Sequence, residues 1–188
     1  MNGKKLSIIS TLSLIGSSIL IGVSLLFPWW ELFLYAPQYP EGLDIIVYTN
    51  KLRGKLDIIN TLNHYIGMSD FSEKSFPELS YLIYLIAGLA ILTLIVAILR
   101  KKSFLYMLIG IFVIGGIIGV FDLYHWLHTF GTDLDPKAPL RIKPFVPPVI
   151  GKNRFANFTT YSYLGKGAYL IIVAFLLTLI PLWKDRKQ

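Results

Sequence analysis

Three residues near the end of an apolar segment have side chains that could bind a transition metal. Asp122, His125 and His128 follow one another at steps of three, so a continuous helix would place them along one face. Imidazole and carboxylate groups together suit copper, zinc or iron. His64 and Met68 could complete the site, and the thioether of Met68 would favour Cu(I). The pattern predicts a metal site with copper as the candidate cofactor.

The same residues also fit a role without a metal. Tyr124 and Trp126 lie beside the histidines and could form with them an aromatic belt at a membrane–water interface. Asp122 adjoins an apolar segment, where a carboxylate is costly unless it is paired or hydrated. A salt bridge from Asp122 to Arg141 or Arg154 is the competing interpretation.

The composition restricts the classes of protein that this chain can be. Of 188 residues, 54% are hydrophobic and 15% are charged, which is too apolar for an ordinary soluble domain. The chain has no cysteine, so disulfides, thiolate metal sites and a thiol nucleophile are excluded. The net charge of +7 comes largely from bases at the ends of apolar segments and in loops. We therefore expect contacts with lipid headgroups and no binding of nucleic acid.

Four apolar segments are long enough to cross a bilayer, which needs about 20 helical residues. We expect a single domain of the all-α integral membrane class with four transmembrane helices. The predicted spans cover residues 6–27, 79–99, 104–124 and 163–183. The remaining segments, residues 28–78 and 125–162, would be two outer loops that form a small, partly β extracytoplasmic cap.

Basic residues next to the predicted spans indicate the orientation. They form three clusters: Lys4 with Lys5, Arg100 to Lys102, and Lys184 with Arg186 and Lys187. Because Lys and Arg near spans favour the cytoplasmic side, we expect both termini in the cytoplasm and a multi-pass location in the cell membrane. The second outer loop also carries more bases than acids, but an even number of spans places it outside.

The outer segments contain readable local patterns. Residues 43–49 and 55–57 predict a hairpin, and residues 58–66 predict a short helix that stops at Gly67. Residues 136–148 hold five prolines, which predicts extended, irregular chain that packs across the first loop.

Small residues at four-residue spacing predict close contacts between helices. The pairs are Ser13 with Ser17, Ser18 with Gly22, and Gly115 with Gly119. They favour packing within one bundle over a seam between two copies.

Strings in both outer loops carry a family resemblance. They are PWWELFLYAPQYPEGL at 28–43, LNHYIGM at 62–68, DLDP at 133–136 and PPVIG at 147–151. In these strings the chain resembles small bacterial membrane proteins encoded beside nitrous oxide reductase and its copper-delivery genes. The resemblance covers little of the spans. It implies a role in copper-enzyme maturation or electron supply outside the cytoplasm, brings no catalytic residues, and includes the metal-competent His64 and Met68.

The sequence therefore favours an accessory membrane protein that docks an extracytoplasmic or membrane protein partner. We expect no enzymatic activity, because the chain has no phosphate loop, GxSxG, HExxH or dinucleotide motif. The alternative is a small transport or redox subunit of a membrane complex. Transporters place polar groups or broken helices near the midplane, and the predicted spans contain few such residues.

Overall fold

The computed structural model describes residues 5–155 and 157–186, with only the backbone of Phe155. Lys4 and Lys187, two members of the predicted basic clusters, lie outside the described residues. The helices α1 to α5 are Ile8–Ser24, Leu56–Ile66, Leu82–Leu99, Lys102–Thr132 and Lys166–Lys184. The strands β1 to β5 are Trp30–Ala36, Tyr39–Val47, Leu52–Gly54, Gly151–Phe155 and Phe158–Leu164. Two short 3-10 helices, Glu73–Ser75 and Pro77–Ser80, precede α3.

The predicted all-α class is wrong. Helices hold 57% and strands 18% of the described residues, and the strands form one antiparallel sheet in the order β3-β2-β1-β5-β4. The class is therefore mixed α/β. The prediction failed because β1 pairs with β5, so that Trp30 lies opposite Leu164. Local patterns do not show a pairing between segments so far apart in the chain.

The expectation of four transmembrane helices is also corrected. In the described residues, three helices are long and apolar enough to cross a membrane, namely α3, α4 and α5. The remaining apolar helix, α1, has only 17 residues. It ends at Ser24 because the chain turns there and then enters β1 at Trp30. Residues 25–27, which the sequence assigned to a span, belong to that turn.

Helix α1 packs between α3 and α5. The Ser17 hydroxyl donates to the carbonyl oxygen of Ala174 on α5 at 2.8 Å, and the Ser18 hydroxyl donates to that of Ala90 on α3 at 2.8 Å. Leu14 of α1 is fully buried between them. Ser17 and Ser18 therefore bring helices of one bundle together, whereas the Ser13 hydroxyl donates to Ser10 O of its own helix and a Cβ at Gly22 would meet no atom within 4 Å.

Helix α4 packs against the rest of the protein at its two ends and is exposed between them. Near its start, Leu105 and Leu108 are buried in the helix bundle. Near its end, Leu123 and Leu127 pack against the core of the sheet. Residues 113–121 between these contacts are exposed, and a Cβ at any glycine in this stretch would meet no atom within 4 Å. The predicted pair Gly115 and Gly119 therefore makes no close helix contact within the described chain.

One end of the bundle gathers the start of α1, the α3–α4 turn and the end of α5, and we call it the basic end. Leu6 N–H donates to the carbonyl oxygen of Arg100 at 2.8 Å, and Arg100 Nε donates back to that of Leu6 at 2.8 Å. Lys102 Nζ donates to the carbonyl oxygen of Asp185 at 2.6 Å. The three basic clusters therefore share one end of the molecule, as far as they are described.

The side chain of Asp185, at the end of α5, contacts the start of α1 at the basic end. Its Oδ2 accepts from Ser7 N–H at 3.2 Å, and the residue is only 1% exposed. Burial alone raises the pKa of Asp185, but hydrogen bonds from Ser10 and Ser7 and the charge of Lys102 outweigh it, so that the pKa lies below its usual value. A negative charge at the start of a helix is favourable, so Asp185 stabilises the first turn of α1.

The sheet lies at the opposite end, directly beyond the helices that lead into it. Trp30 and Leu32 of β1 and Leu43 of β2 point to one face and pack on Ile59 of α2. Because successive residues of a strand alternate between faces, the intervening side chains point to the other face of the sheet.

Candidate functional site

The predicted metal-binding residues of α4 occupy its last turns, and each of the two histidine rings lies beside a different aromatic ring. The His128 ring lies 6.2 Å from the Tyr124 ring, and its Nδ1 is 3.3 Å from Thr132 Oγ1. The His125 ring lies 5.9 Å from the Trp126 ring. Both histidines are exposed. The two imidazoles therefore lie beside aromatic rings of their own helix.

His64 and Met68 lie elsewhere, at the end of α2 and just after it. The His64 ring contacts the Tyr65 ring at 6.4 Å. In the described part of the chain, no hydrogen bond or ring contact joins His64 to His125 or His128. No group of three or more His, Cys, Asp or Glu residues among the described ones is placed to hold a metal ion. Copper binding by these residues stays a prediction.

Asp122 has a different neighbour from those that the sequence suggested. Its carboxylate interacts electrostatically with Glu78, in the 3-10 helix before α3, and with His125. Within the described residues no ion pair joins Asp122 to Arg141 or Arg154. The sequence reasoning missed Glu78, although an acid directly before the predicted span 79–99 was a signal for it.

Two polar atoms beside Asp122 are buried without a hydrogen-bond partner among the described residues, namely Glu78 Oε2 and Trp126 Nε1. The Phe76 ring lies 5.0 Å from the Trp126 ring and brings this segment onto α4. A buried water could serve the two orphan atoms. The cluster therefore combines two acidic side chains with two buried polar atoms that lack a partner among the described residues, where the segment before α3 meets α4.

Residues 133–150 form an irregular segment that crosses the sheet end, and we call it the strap. Four hydrogen bonds fix it: Asp135 N–H to Gly67 O at 2.8 Å, Leu140 N–H to Tyr65 O at 2.9 Å, Phe145 N–H to Gly131 O at 3.0 Å, and Trp30 Nε1–H to Val149 O at 2.7 Å. The strap is thus irregular chain packed across the first outer segment.

The strap presents basic side chains to the surroundings. Lys137, Arg141 and Lys143 are all exposed, and none has an ion pair within residues 5–155 and 157–186. Asp135 Oδ1 is occupied by the backbone N–H of Lys137 at 2.8 Å. The strap is therefore a fixed segment with three exposed bases against two exposed acids, Asp133 and Asp135.

Comparison with protein-family models and with curated proteins finds no match to this chain.

Proposed function

We propose that this protein is a membrane-anchored docking protein, without catalytic activity of its own, whose strap binds an acidic surface of a protein partner. The observation that carries the proposal is the set of three exposed bases, Lys137, Arg141 and Lys143, on a segment fixed by hydrogen bonds. Complementary charges steer association and fix its orientation. A strap already held in place loses little conformational entropy when it binds.

The location follows from the same arrangement. Helices α3, α4 and α5 suit a membrane by length and composition, and the proposal places them in the cell membrane together with α1, which packs between α3 and α5. Because bases next to spans favour the cytoplasm, the basic end with the N and C termini faces inward. The sheet and the strap then face outward, where the partner or its outer domain lies.

The family resemblance suggests which partner to test first. It implies a setting beside nitrous oxide reductase, so an extracytoplasmic copper enzyme of that type, or a protein that matures it or supplies it with electrons, is the first candidate. This part of the proposal rests on the resemblance of the outer strings and on no contact within the chain.

A charge-reversal experiment tests the docking role. The triple variant Lys137→Glu, Arg141→Glu and Lys143→Glu should lower the amount of the copper enzyme that co-purifies with the protein from native membranes. Exposed ion pairs contribute about 0.2–1 kcal/mol each, so reversal of three charges should weaken binding about tenfold or more.

The matched control reverses three bases elsewhere at the sheet end, Lys51, Arg53 and Lys74. This variant changes the net charge by the same amount and should retain the partner. Equal recovery of the partner with the strap variant and the wild type would contradict the proposal.

A further inference from the structure

The face of the sheet opposite α2 carries a cluster of aromatic rings, and we call it the aromatic face. It consists of Phe33 and Tyr35 on β1 with Tyr161 and Tyr163 on β5. Ring centroids lie 6.2 Å apart for Phe33 and Tyr163, 5.9 Å for Tyr35 and Tyr161, and 6.3 Å for Tyr161 and Tyr163. Tyr35 is 39% and Tyr163 48% exposed. Exposed aromatic patches of this kind mark interaction surfaces.

One row of residues crosses this face with opposite charges at its ends. Lys152 on β4 lies opposite Tyr161, Tyr161 lies opposite Phe33, and Phe33 lies opposite Asp44 on β2. Paired residues of antiparallel strands share a face, so the row consists of a cation, two rings and a carboxylate. Lys152 Nζ lies 5.4 Å from the centroid of the Tyr161 ring. Neither Lys152 nor Asp44 has an ion pair within the described residues.

The row is complementary to itself. With strands about 4.8 Å apart, the two charges are about 14 Å apart, on either side of the line between β1 and β5. A second copy is turned by 180° about an axis that runs parallel to this line and lies above the aromatic face. It presents the same row to the first copy in reverse order. Lys152 of each copy then faces Asp44 of the other, and the rings of the two copies face one another.

The axis of this rotation also suits two copies in one membrane. Strands β1 and β5 run beside each other and connect to α1 and α5 at the same end, where Trp30 lies opposite Leu164. A rotation about the strand direction therefore keeps the helices of both copies on the same side. Two-fold symmetry with one self-complementary patch is the commonest form of protein assembly.

We propose that the aromatic face binds a second copy of this chain, in a homodimer whose two-fold axis runs along β1 and β5. Sheets that pack face to face lie about 10 Å apart, and rings from both copies fill that gap. The two Lys152–Asp44 pairs fix the orientation, because other orientations leave like charges together or charges unpaired. The dimer does not depend on the proposed docking role, since the strap is no part of the aromatic face.

A charge swap along the row tests the dimer. The chain is reconstituted in phosphatidylcholine vesicles at a series of protein densities, and the dimer fraction is counted by single-molecule photobleaching. Lys152→Glu alone and Asp44→Lys alone each place like charges opposite one another at two points, and each should raise the dissociation constant about tenfold. The double variant restores opposite charges and should return the dissociation constant to that of the wild type.

The control is Lys74→Glu. Lys74 is an exposed base in the 3-10 helix Glu73–Ser75, outside the sheet, and its reversal should leave the dimer unchanged. Single reversals without effect, or a double variant as weak as the single ones, would overturn the proposal. A wild type that stays monomeric at every density overturns it as well.

Cross-linking gives an independent measurement, because the chain has no cysteine of its own. With a short bismaleimide, Phe33→Cys near the axis should link two copies. Gly116→Cys, in the exposed middle of α4, should not. Links at Gly116→Cys without links at Phe33→Cys would assign the contact to α4 and refute the sheet dimer.

Discussion

Gly131 provides the sharpest test of how the strap is held. Gly131 lies in the last turn of α4, and a Cβ built there would lie 1.7 Å from the carbonyl oxygen of Phe145. The same stretch of strap donates from Phe145 N–H to Gly131 O at 3.0 Å. Because the obstacle is backbone, Gly131→Ala must displace the strap and break this hydrogen bond.

The size of the effect follows from two opposing contributions. Alanine in place of glycine inside an open helix gains up to about 1 kcal/mol. Against this gain, the broken hydrogen bond costs about 1 kcal/mol, and an amide left buried without a partner costs about 1–3 kcal/mol. We expect a net loss of about 1–3 kcal/mol, concentrated in the strap.

The matched control is Gly116→Ala on the same helix, where no atom lies within 4 Å of the new Cβ. Hydrogen exchange followed by mass spectrometry in detergent should show faster exchange across residues 136–148 in Gly131→Ala and unchanged exchange in Gly116→Ala. Limited proteolysis should cut the strap in the first variant only. Wild-type protection of the strap in Gly131→Ala would refute the close packing of Phe145 on α4.

Two further predictions concern buried acids. The pKa of the Asp185 carboxylate is lowered in the folded protein. The ionised carboxylate therefore contributes fully to the free energy of unfolding above its pKa in the unfolded protein, about 3.9. This contribution is lost as the pH falls through the pKa of the folded protein. Thermal unfolding should therefore show that Asp185→Asn lowers the unfolding temperature at pH 7. The variant should also lose less stability than the wild type when the pH falls below about 4. Equal dependence of the two unfolding temperatures on pH would contradict this role. Glu78→Gln should stabilise the protein by about 1 kcal/mol, because it removes a like charge beside Asp122 and supplies a hydrogen-bond donor in a buried position. A lower unfolding temperature of this variant would show instead that the Glu78 charge has a favourable partner.

The sequence was sufficient for features that depend on neighbours along the chain. The long apolar runs located α3, α4 and α5 to within a few residues, apart from the end of α4. Gly67 was predicted to end α2, and it does so with a φ of 77° in the left-handed region that glycine adopts readily. Loop residues 136–148 were predicted to be irregular because of their prolines, and they are. In each case the deciding interactions lie within a few residues of one another.

Only the tertiary structure decided what depends on distant segments. The sequence predicted a hairpin and a partly β cap in the outer segments, but not that β5 pairs beside β1, so the five-stranded sheet and the class of fold were missed. Ser17, Ser18, Gly115 and Gly119 all belong to pairs with the same four-residue spacing. Ser17 and Ser18 contact other helices, whereas Gly115 and Gly119 do not, because a contact requires a second helix beside the residue. Asp122 lies beside Glu78 for the same reason. Sequence patterns specify which surfaces must be covered, whereas the choice of the covering segment follows from packing the whole chain.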